Sequence, residues 1–299
     1  MTLSAPIDAA LIDPPETIAA PFALQCMDIW GGNEPVVNTI SVPGLDVSVL
    51  ARPHDGGGAG GDLYHVSLCG SGRISRYVLA DVAGHGVGVS EVALRLRRLL
   101  RRHINTANQS RFARQVNAEF EKIATGGRFA TAVLMTYFAP SEHLIVCNAG
   151  HPSPLWYRAD RREWSLLSHA NEDALTARGS QVGIRNLPLG VLEPTDFHQF
   201  AVPLGRGDIV LSYTDAMIES TAADGTMLGE RGLLELASTI AEPKPESVVS
   251  SLMDRVMELR GGTPLDDDAT ILSLHHNAAK PERQSMAERL RVLRKLIGF

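Results

Sequence analysis

The fold is decided by the stretch Leu79-Ala80-Asp81-Val82-Ala83-Gly84-His85-Gly86. A mostly apolar run, Ile74 to Ala80, leads into it, and a helical pattern begins near Val87. Asp81 therefore stands where a buried strand ends and a glycine-rich turn begins. A rigid strand aims such a carboxylate at a cleft built from loops, and the glycines let the backbone approach a bound ion. The stretch predicts a functional carboxylate at a strand end.

Three other acidic turns share this setting. They are Gly60-Gly61-Asp62, Tyr213-Thr214-Asp215 and Asp266-Asp267-Asp268. Asp62 and Asp215 each adjoin a strand-like run, and the acidic triplet precedes another, Ala269 to Leu274. Carboxylates gather at the ends of several strands only when something cancels their repulsion. A hard divalent cation does this and prefers oxygen ligands, so the four turns predict a metal centre.

The order and spacing of these motifs resemble the metal-dependent serine/threonine phosphatases of the PPM family, in particular the bacterial sporulation-phosphatase (SpoIIE-like) branch. The resemblance covers about Asp46 to Leu274. It rests on Gly60-Gly61-Asp62, Asp81-Val82-Ala83-Gly84-His85-Gly86, Thr214-Asp215 and Asp267-Asp268-Ala269-Thr270, with further landmarks at Ala130-Thr131-Ala132-Val133, Asn148-Ala149-Gly150-His151-Pro152 and Leu187-Pro188-Leu189-Gly190-Val191.

The resemblance implies a site for two hard cations, Mn²⁺ or Mg²⁺. Its implied ligands are Asp62, Asp81, Asp215 and Asp267, with the carbonyl of Val82 as a further ligand. Asp81 would bridge the ions, Asp215 and Asp267 would bind one of them, and Asp62 would stand beside the other. Asp268 is the alternative to Asp267, and the triplet leaves that choice open.

The same resemblance implies the reaction. A hydroxide that bridges the two metals would attack phosphorus directly, with Asp81 and Asp215 as catalytic residues and no phospho-enzyme. The implied substrate is phosphoserine or phosphothreonine on a small signalling protein, typically of the anti-anti-sigma kind. Arg52 is the nearest upstream candidate for gripping the phosphate, and an ordinary exposed arginine is the alternative reading.

Two departures from the family pattern favour other interpretations. Ala216 follows the third aspartate where the family has glycine, and His65 stands where a second acid is usual. They support a pseudophosphatase that acts as a regulatory binding module. A metallophosphatase for small phosphate esters is a third possibility. His85 and His151 lie in glycine-flanked turns, where each serves either as a general acid or as a structural ring bonded to backbone.

Composition narrows the class of protein. The chain has 299 residues, 44% of them hydrophobic, and a net charge of −6, which argues against a general nucleic-acid binder. No apolar run approaches the ~20 residues of a membrane span, and no signal peptide is evident. Three widely spaced cysteines (Cys26, Cys69 and Cys147) fit a reducing cytoplasm and argue against a zinc ribbon.

Apolar periodicity predicts strands that come mainly as hairpins and helices that come in pairs, which is an α+β pattern. The predicted strands are Leu45 to Ala51, Tyr64 to Leu68, Ile74 to Ala80, Phe129 to Phe138, His143 to Asn148, Leu155 to Arg158, Ile209 to Tyr213 and Ala269 to Leu274. The predicted helices are Val87 to Ile104, Phe112 to Ile123, Gly232 to Ile240 and Glu246 to Leu259. Ala159 to Gln181 predicts an exposed irregular segment. The resemblance implies a four-layer α-β-β-α sandwich, two antiparallel sheets flanked by helices.

The expected organisation is a tail and lead-in at 1–40, a PPM-type phosphatase domain at 41–276, and a basic amphipathic helix at 277–299. From Lys280 onward, six basic and two acidic residues give a charge of 6 − 2 = +4. Such a helix lies on a membrane surface, docks on a partner or packs on its own domain. The arginine-rich face of Val87 to Ile104 is either solvated or a docking surface for an acidic protein. The oligomeric state stays open.

Overall fold

A computed structural model describes residues 22–23, 29–54, 59–68, 72–84, 87–106, 108–124, 126–176, 185–222 and 225–280, and structural statements below concern these residues. The predicted loose tail, most of the predicted C-terminal helix, His85, Cys26 and Cys69 lie outside them. No described helix is both long and apolar enough to cross a membrane.

The described residues form fourteen strands, four α-helices and a short 3₁₀ turn. The strands are β1 (Phe22–Ala23), β2 (Ile29–Gly32), β3 (Val36–Val42), β4 (Leu45–Arg52), β5 (Asp62–Leu68), β6 (Ile74–Val82), β7 (Ala130–Phe138), β8 (His143–Ala149), β9 (Leu155–Arg158), β10 (Glu163–Leu166), β11 (Leu175–Thr176), β12 (Gln199–Pro203), β13 (Ile209–Tyr213) and β14 (Ala269–His276). The helices are α1 (Val87–His103), α2 (Gln109–Phe120), α3 (Gly229–Ser238) and α4 (Val248–Leu259), and the 3₁₀ turn is Asp215–Met217.

The strands pair into two seven-stranded sheets. Sheet A has the order β1-β3-β4-β14-β13-β9-β10, and sheet B has the order β11-β12-β8-β7-β6-β5-β2. All strand pairs are antiparallel except the short contact of β1 with β3. Antiparallel neighbours need only short connections, which is why the hairpins were readable from the sequence.

Four layers follow from side chains that alternate between the faces of each strand. In β5, Leu63 faces the cluster under α1 and α2, whereas Tyr64 joins the core between the sheets. In β6, Leu79 lies in the inter-sheet core, with Ala80 on the helix side. A third cluster packs α3 and α4 on sheet A. The expected α+β sandwich with helices on both outer faces is confirmed.

Several sequence expectations need correction. The segment Ala159 to Gln181 is not irregular throughout, because it contains β10, whose Trp164 is buried, and β11. The lead-in placed before residue 41 contributes β2 to sheet B and most of β3 to sheet A. Helix α2 begins at Gln109, three residues before the expected Phe112, because the side chain of Asn108 caps it by accepting from Arg111 N.

Candidate metal centre

The four acidic turns lie at one end of the sandwich. Asp62 opens β5 directly opposite Asp81 near the end of β6, so the hairpin register places two carboxylates side by side. In sheet A, Asp215 follows β13 and the acidic triplet precedes β14, which pairs antiparallel with β13. The two sheets are linked at this end, where the hydroxyl of Thr214 donates to Asp62 Oδ2 over 2.8 Å.

Asp62 is the most deeply buried of these carboxylates, with 5% of its surface exposed. Thr214 and Thr270 hydrogen-bond to it, and Thr270 N donates to the Thr214 hydroxyl at 2.9 Å. Its second oxygen, Oδ1, is buried without a hydrogen-bond partner. Burial and the neighbouring charge of Asp81 raise the pKa of Asp62 well above its usual range. Sequence reasoning quoted both threonines within motifs but assigned neither of them a role.

Asp81 lies at the centre of the acidic group. Burial, followed by the charges of Asp215, Asp267, Asp268 and Glu219, raises its pKa to about 8. Burial also raises the pKa of Asp215, with Glu219 and Asp267 contributing. Like charges this close disfavour the ionised forms, so a neighbouring positive charge would stabilise the carboxylates. Glu219 is a further acidic neighbour that the motif analysis missed.

The residues present fit hard divalent cations. The chemistry of the donor set is oxygen only, and the unpartnered Oδ1 of Asp62 offers a buried acceptor. A Cβ on Gly61 would stand 3.0 Å from the Val82 carbonyl oxygen, so glycine allows the backbone to approach that carbonyl closely. Within the described ranges, no three Asp, Glu, His or Cys side chains are already close enough to hold a metal ion. Binding of an ion would require the carboxylate oxygens to move closer together.

The geometry separates Asp267 from Asp268. Both oxygens of Asp268 accept backbone N–H groups, from His54 at 2.8 Å and from Gly61 at 2.6 Å. Asp267 is exposed, and its Oδ1 accepts only the neighbouring N–H of Asp268 at 2.8 Å. Asp268 is thus occupied in tying the glycine-rich loop to the start of β14, whereas Asp267 keeps an oxygen for a ligand.

Three further hydrogen bonds, from two residues, hold the loop before Asp62. Asn33 accepts the Gly60 N–H through its backbone carbonyl at 2.8 Å, and its side-chain amide donates to the Gly60 carbonyl at 3.0 Å. The hydroxyl of Ser90, in the first turn of α1, donates to the Ala59 carbonyl. Asn33 and Ser90 were not singled out from sequence, because neither stands in an acidic motif.

The remaining candidates lie at the rim or in the core. Arg52 is exposed at the end of β4, opposite Ala269, and is therefore near the acidic triplet. Ala216 is buried in the cluster under α3 and α4, directly after Asp215. His65 is fully buried beneath α1, where burial and the charges of Arg97 and Arg101 lower its pKa to about 4.

His151 has structural contacts. Its ring Nδ1 lies 2.8 Å from the Thr131 hydroxyl, and the side chain of Asn148 clasps its backbone N–H and carbonyl. Burial lowers the pKa of His151 to about 3, so the ring is neutral near pH 7 and carries no proton to give as a cationic acid. Of the two alternatives for this residue, the structural one is favoured.

Comparison with known proteins assigns the family. The family model described as stage II sporulation protein E (SpoIIE) matches residues 71–277, more than half of the chain. The chain belongs to the SpoIIE family. Among curated proteins, this SpoIIE-family chain is 24% identical over 168 residues to the phosphoserine phosphatase RsbP of Bacillus subtilis (strain 168). The match covers 54% of the chain and 38% of RsbP, so the chain spans well under half of that relative.

Solved structures agree with this assignment. The RsbU and RsbW domains of Rv1364c from Mycobacterium tuberculosis match with a TM-score of 0.63 and 27% identity, over 88% of this chain and 70% of that one. The PP2C phosphatase domain of SpoIIE from Bacillus subtilis, solved with a fragment of its regulatory domain, gives a TM-score of 0.61 at 17% identity, over 79% and 66%. The predicted family is confirmed, and the fold is that of PP2C phosphatase domains.

Proposed function

We propose that the chain is a metal-dependent phosphatase for phosphoserine and phosphothreonine in proteins. The observation that carries the proposal is the gathering of Asp62, Asp81, Asp215 and Asp267 at one end of the sandwich, where their charges oppose one another. Carboxylates kept together at this cost are explained by cations and a phosphate that the cations attract. Membership of the SpoIIE family supports the same reaction.

The proposed ligands are Asp62, Asp81, Asp215 and Asp267 with the Val82 carbonyl, and the proposed ions are two of Mn²⁺ or Mg²⁺. When bound, such ions neutralise phosphate oxygens and acidify water for attack on phosphorus. Asp81, between Asp62 on its hairpin and Asp215 across the sheets, is suited to bridge the ions. Asp268 holds the loop instead of a metal, because both its oxygens accept backbone N–H groups.

The substrate and the mechanism are the finer part of the proposal. RsbP is described as a phosphoserine phosphatase, which supports a phosphoprotein substrate here. We propose a small signalling protein of the anti-anti-sigma kind, direct attack on phosphorus without a phospho-enzyme, and Arg52 as a rim contact for the phosphate. The side chain of Ala216 packs in the cluster under α3 and α4, and His65 is buried. Neither departure removes a proposed metal ligand, so they give little support to a pseudophosphatase. The buried free thiol of Cys147 is compatible with action in a reducing cytoplasm.

The test is hydrolysis of a phosphoserine protein by the full chain with Mn²⁺, alongside calorimetric titration of Mn²⁺. Asp81→Asn should abolish turnover and weaken metal binding, because it removes the central carboxylate. Asp254→Asn, at an exposed aspartate of α4, is the matched control and should change neither. Unchanged turnover in Asp81→Asn would reject this site. Binding of Mn²⁺ without hydrolysis of any phosphate ester would leave a regulatory binding module instead.

A further inference from the structure

Three exposed apolar side chains lie together near the acidic group, and we call them the apolar patch. They are Phe129, Val191 and Leu192, with 38%, 49% and 43% of their surface exposed. They make up three of the seven large hydrophobic residues that are exposed in the described part of the chain. Two backbone hydrogen bonds pair Ala130 with Leu189 in an antiparallel bridge, so Phe129 lies next to the turn that leads to Val191. Scattered exposed hydrophobics are ordinary, but a contiguous group of them is typical of an interaction surface.

The patch adjoins the turn that carries Asp81. The carbonyl of Phe129 accepts the N–H of Ala83, in that turn, at 3.0 Å. Thr131, which follows Phe129 on β7, is the direct strand partner of Asp81. A strand spacing of about 4.8 Å and a rise of about 3.4 Å per residue place the Cα of Phe129 roughly 8 Å from that of Asp81. Val191 lies one strand spacing further and beyond the strand end, at roughly 14 Å from Asp81 or less.

The loop that carries Val191 and Leu192 is held by a buried polar side chain. Asn117 of α2 is fully buried, and its side-chain oxygen accepts the N–H of Gly190 at 2.9 Å. Its NH₂ group donates to the Leu192 carbonyl at 2.9 Å. Gly190 has a φ of 85°, and a Cβ there would stand 3.0 Å from the Phe120 ring. A buried amide requires hydrogen-bond partners, and this one finds them in the loop. The loop therefore has a fixed conformation in which its two aliphatic side chains remain exposed.

We propose that the apolar patch binds an apolar side chain of the phosphoprotein substrate, within about four residues of the phosphorylated residue. The inference rests on the proposed phosphatase function and adds a specificity site to it. Four residues of an extended peptide span about 14 Å, which reaches from Asp81 to the far side of the patch. A protein substrate is wider than this distance, so a phosphate at the acidic group brings its surface over the patch. Contact between apolar side chains there removes apolar area from water and favours binding.

The test is a scan of eleven-residue phosphoserine peptides in an alanine and glycine background, with one leucine moved from position −5 to +5. With Mn²⁺ and the full chain, leucine at one or more positions within four residues of phosphoserine should raise kcat/KM about tenfold over alanine, the effect of partly burying one leucine side chain. Glutamate or lysine at the same position should give no such gain. Fluorescence anisotropy with a non-hydrolysable phosphonate form of the same peptides should give the same order of affinities.

Two variants remove apolar surface from the patch, and each has a matched control. Phe129→Ser and Val191→Ser should each reduce the leucine preference to less than about threefold. Phe138→Ser is the control for the first, because Phe138 is 37% exposed at the opposite end of β7, about 30 Å away. Val37→Ser, at an exposed valine of β3, is the control for the second. Both controls should keep the wild-type preference. All four side chains are exposed, so every variant should keep the wild-type Tm in EDTA within a few degrees.

The outcomes separate the two proposals. A flat scan in both assays, or an unchanged leucine preference in the two patch variants, overturns the patch proposal even if every peptide is hydrolysed. If no peptide is hydrolysed but anisotropy shows a leucine preference that the patch variants lose, the patch proposal stands and the phosphatase proposal fails. Sedimentation velocity tests a different occupant of the patch. A dimer of the full chain that Phe129→Ser dissociates would show that a second copy covers the patch, and it would overturn the proposal.

Discussion

The clearest prediction concerns the two neighbouring acids Asp267 and Asp268, which we propose to be a metal ligand and a loop clamp, respectively. Asp268→Ala removes both acceptors of the His54 and Gly61 N–H groups. Asp267→Ala removes one local bond to the next residue and an exposed carboxylate. The first change should therefore loosen the fold without metal, whereas the second should act only through the ions.

The magnitudes follow from these contacts. A hydrogen bond to a charged group contributes about 1.5 kcal/mol at the low end, which suits a half-buried carboxylate, so Asp268→Ala loses about 3 kcal/mol. Relief of its repulsion with Asp62 and Asp81 returns roughly 1 kcal/mol. A net loss of about 2 kcal/mol corresponds to a Tm lower by roughly 4–6 °C for a domain of this size. Asp267→Ala should stay within about 0.5 kcal/mol, as exposed substitutions usually do.

The assay is thermal unfolding in EDTA and again in saturating Mn²⁺, with calorimetric titration of the metal. Asp268→Ala should lower Tm in EDTA and keep Mn²⁺ binding with reduced affinity. Asp267→Ala should keep the EDTA Tm and lose most of the stabilisation by Mn²⁺, because stabilisation by a ligand follows its affinity. The assignment is refuted if Asp268→Ala leaves the EDTA Tm unchanged and loses Mn²⁺ binding while Asp267→Ala retains it.

Two further predictions concern the loop and pH. Gly60→Ala should lower the Tm in EDTA about as much as Asp268→Ala, because the added methyl would overlap the Asp268 carboxylate. The double variant should have a Tm only slightly lower than either single variant, since both changes disturb the same contact. Additive decreases in Tm would contradict this shared cause. For His65, whose pKa is lowered from 6.5 to about 4, the unfolded chain binds the proton first as pH falls. Its contribution to stability is present above pH 6.5 and lost towards pH 4, about 3 kcal/mol in all. The free energy of unfolding, measured with urea in EDTA, should therefore depend less on pH over this range in His65→Leu than in the wild type. Equal pH slopes for the two proteins would refute this prediction.

Much of the architecture was readable because its signals are local. The hairpin of β5 and β6 is encoded by two apolar runs around a glycine turn, and its register places Asp62 beside Asp81. Helices α1 and α4 follow from apolar spacing. The strands that were missed, such as β3 and β12, are mixed in polarity (VVNTISV and QFAVP). They become strands by pairing with β4 and β8, neighbours that local pattern does not reveal.

The candidate site likewise has one part that the sequence predicts and another that it does not. Acidic residues at strand ends were predictable, since residue type and setting both appear in the sequence. The groups that hold them are ordinary residues whose partners are distant in the chain. Thr214 reaches Asp62 across 152 positions, and Asn33 reaches Gly60 across 27. A threonine or an asparagine has many uses, so only the fold shows which ones support the carboxylates.

The choice between Asp267 and Asp268 shows why such detail requires the tertiary structure. In sequence the two are neighbouring acids of the same kind, and either can bind a cation. What separates them are the backbone N–H groups of His54 and Gly61, which come from more than 200 positions away and need acceptors beside the start of β14. Asp268 lies next to β14, where it meets these donors, and its oxygens are thereby occupied. Among the described residues, Asp267, one residue earlier, makes no hydrogen bond to either donor and keeps an oxygen for an ion, which is why we propose it as the metal ligand.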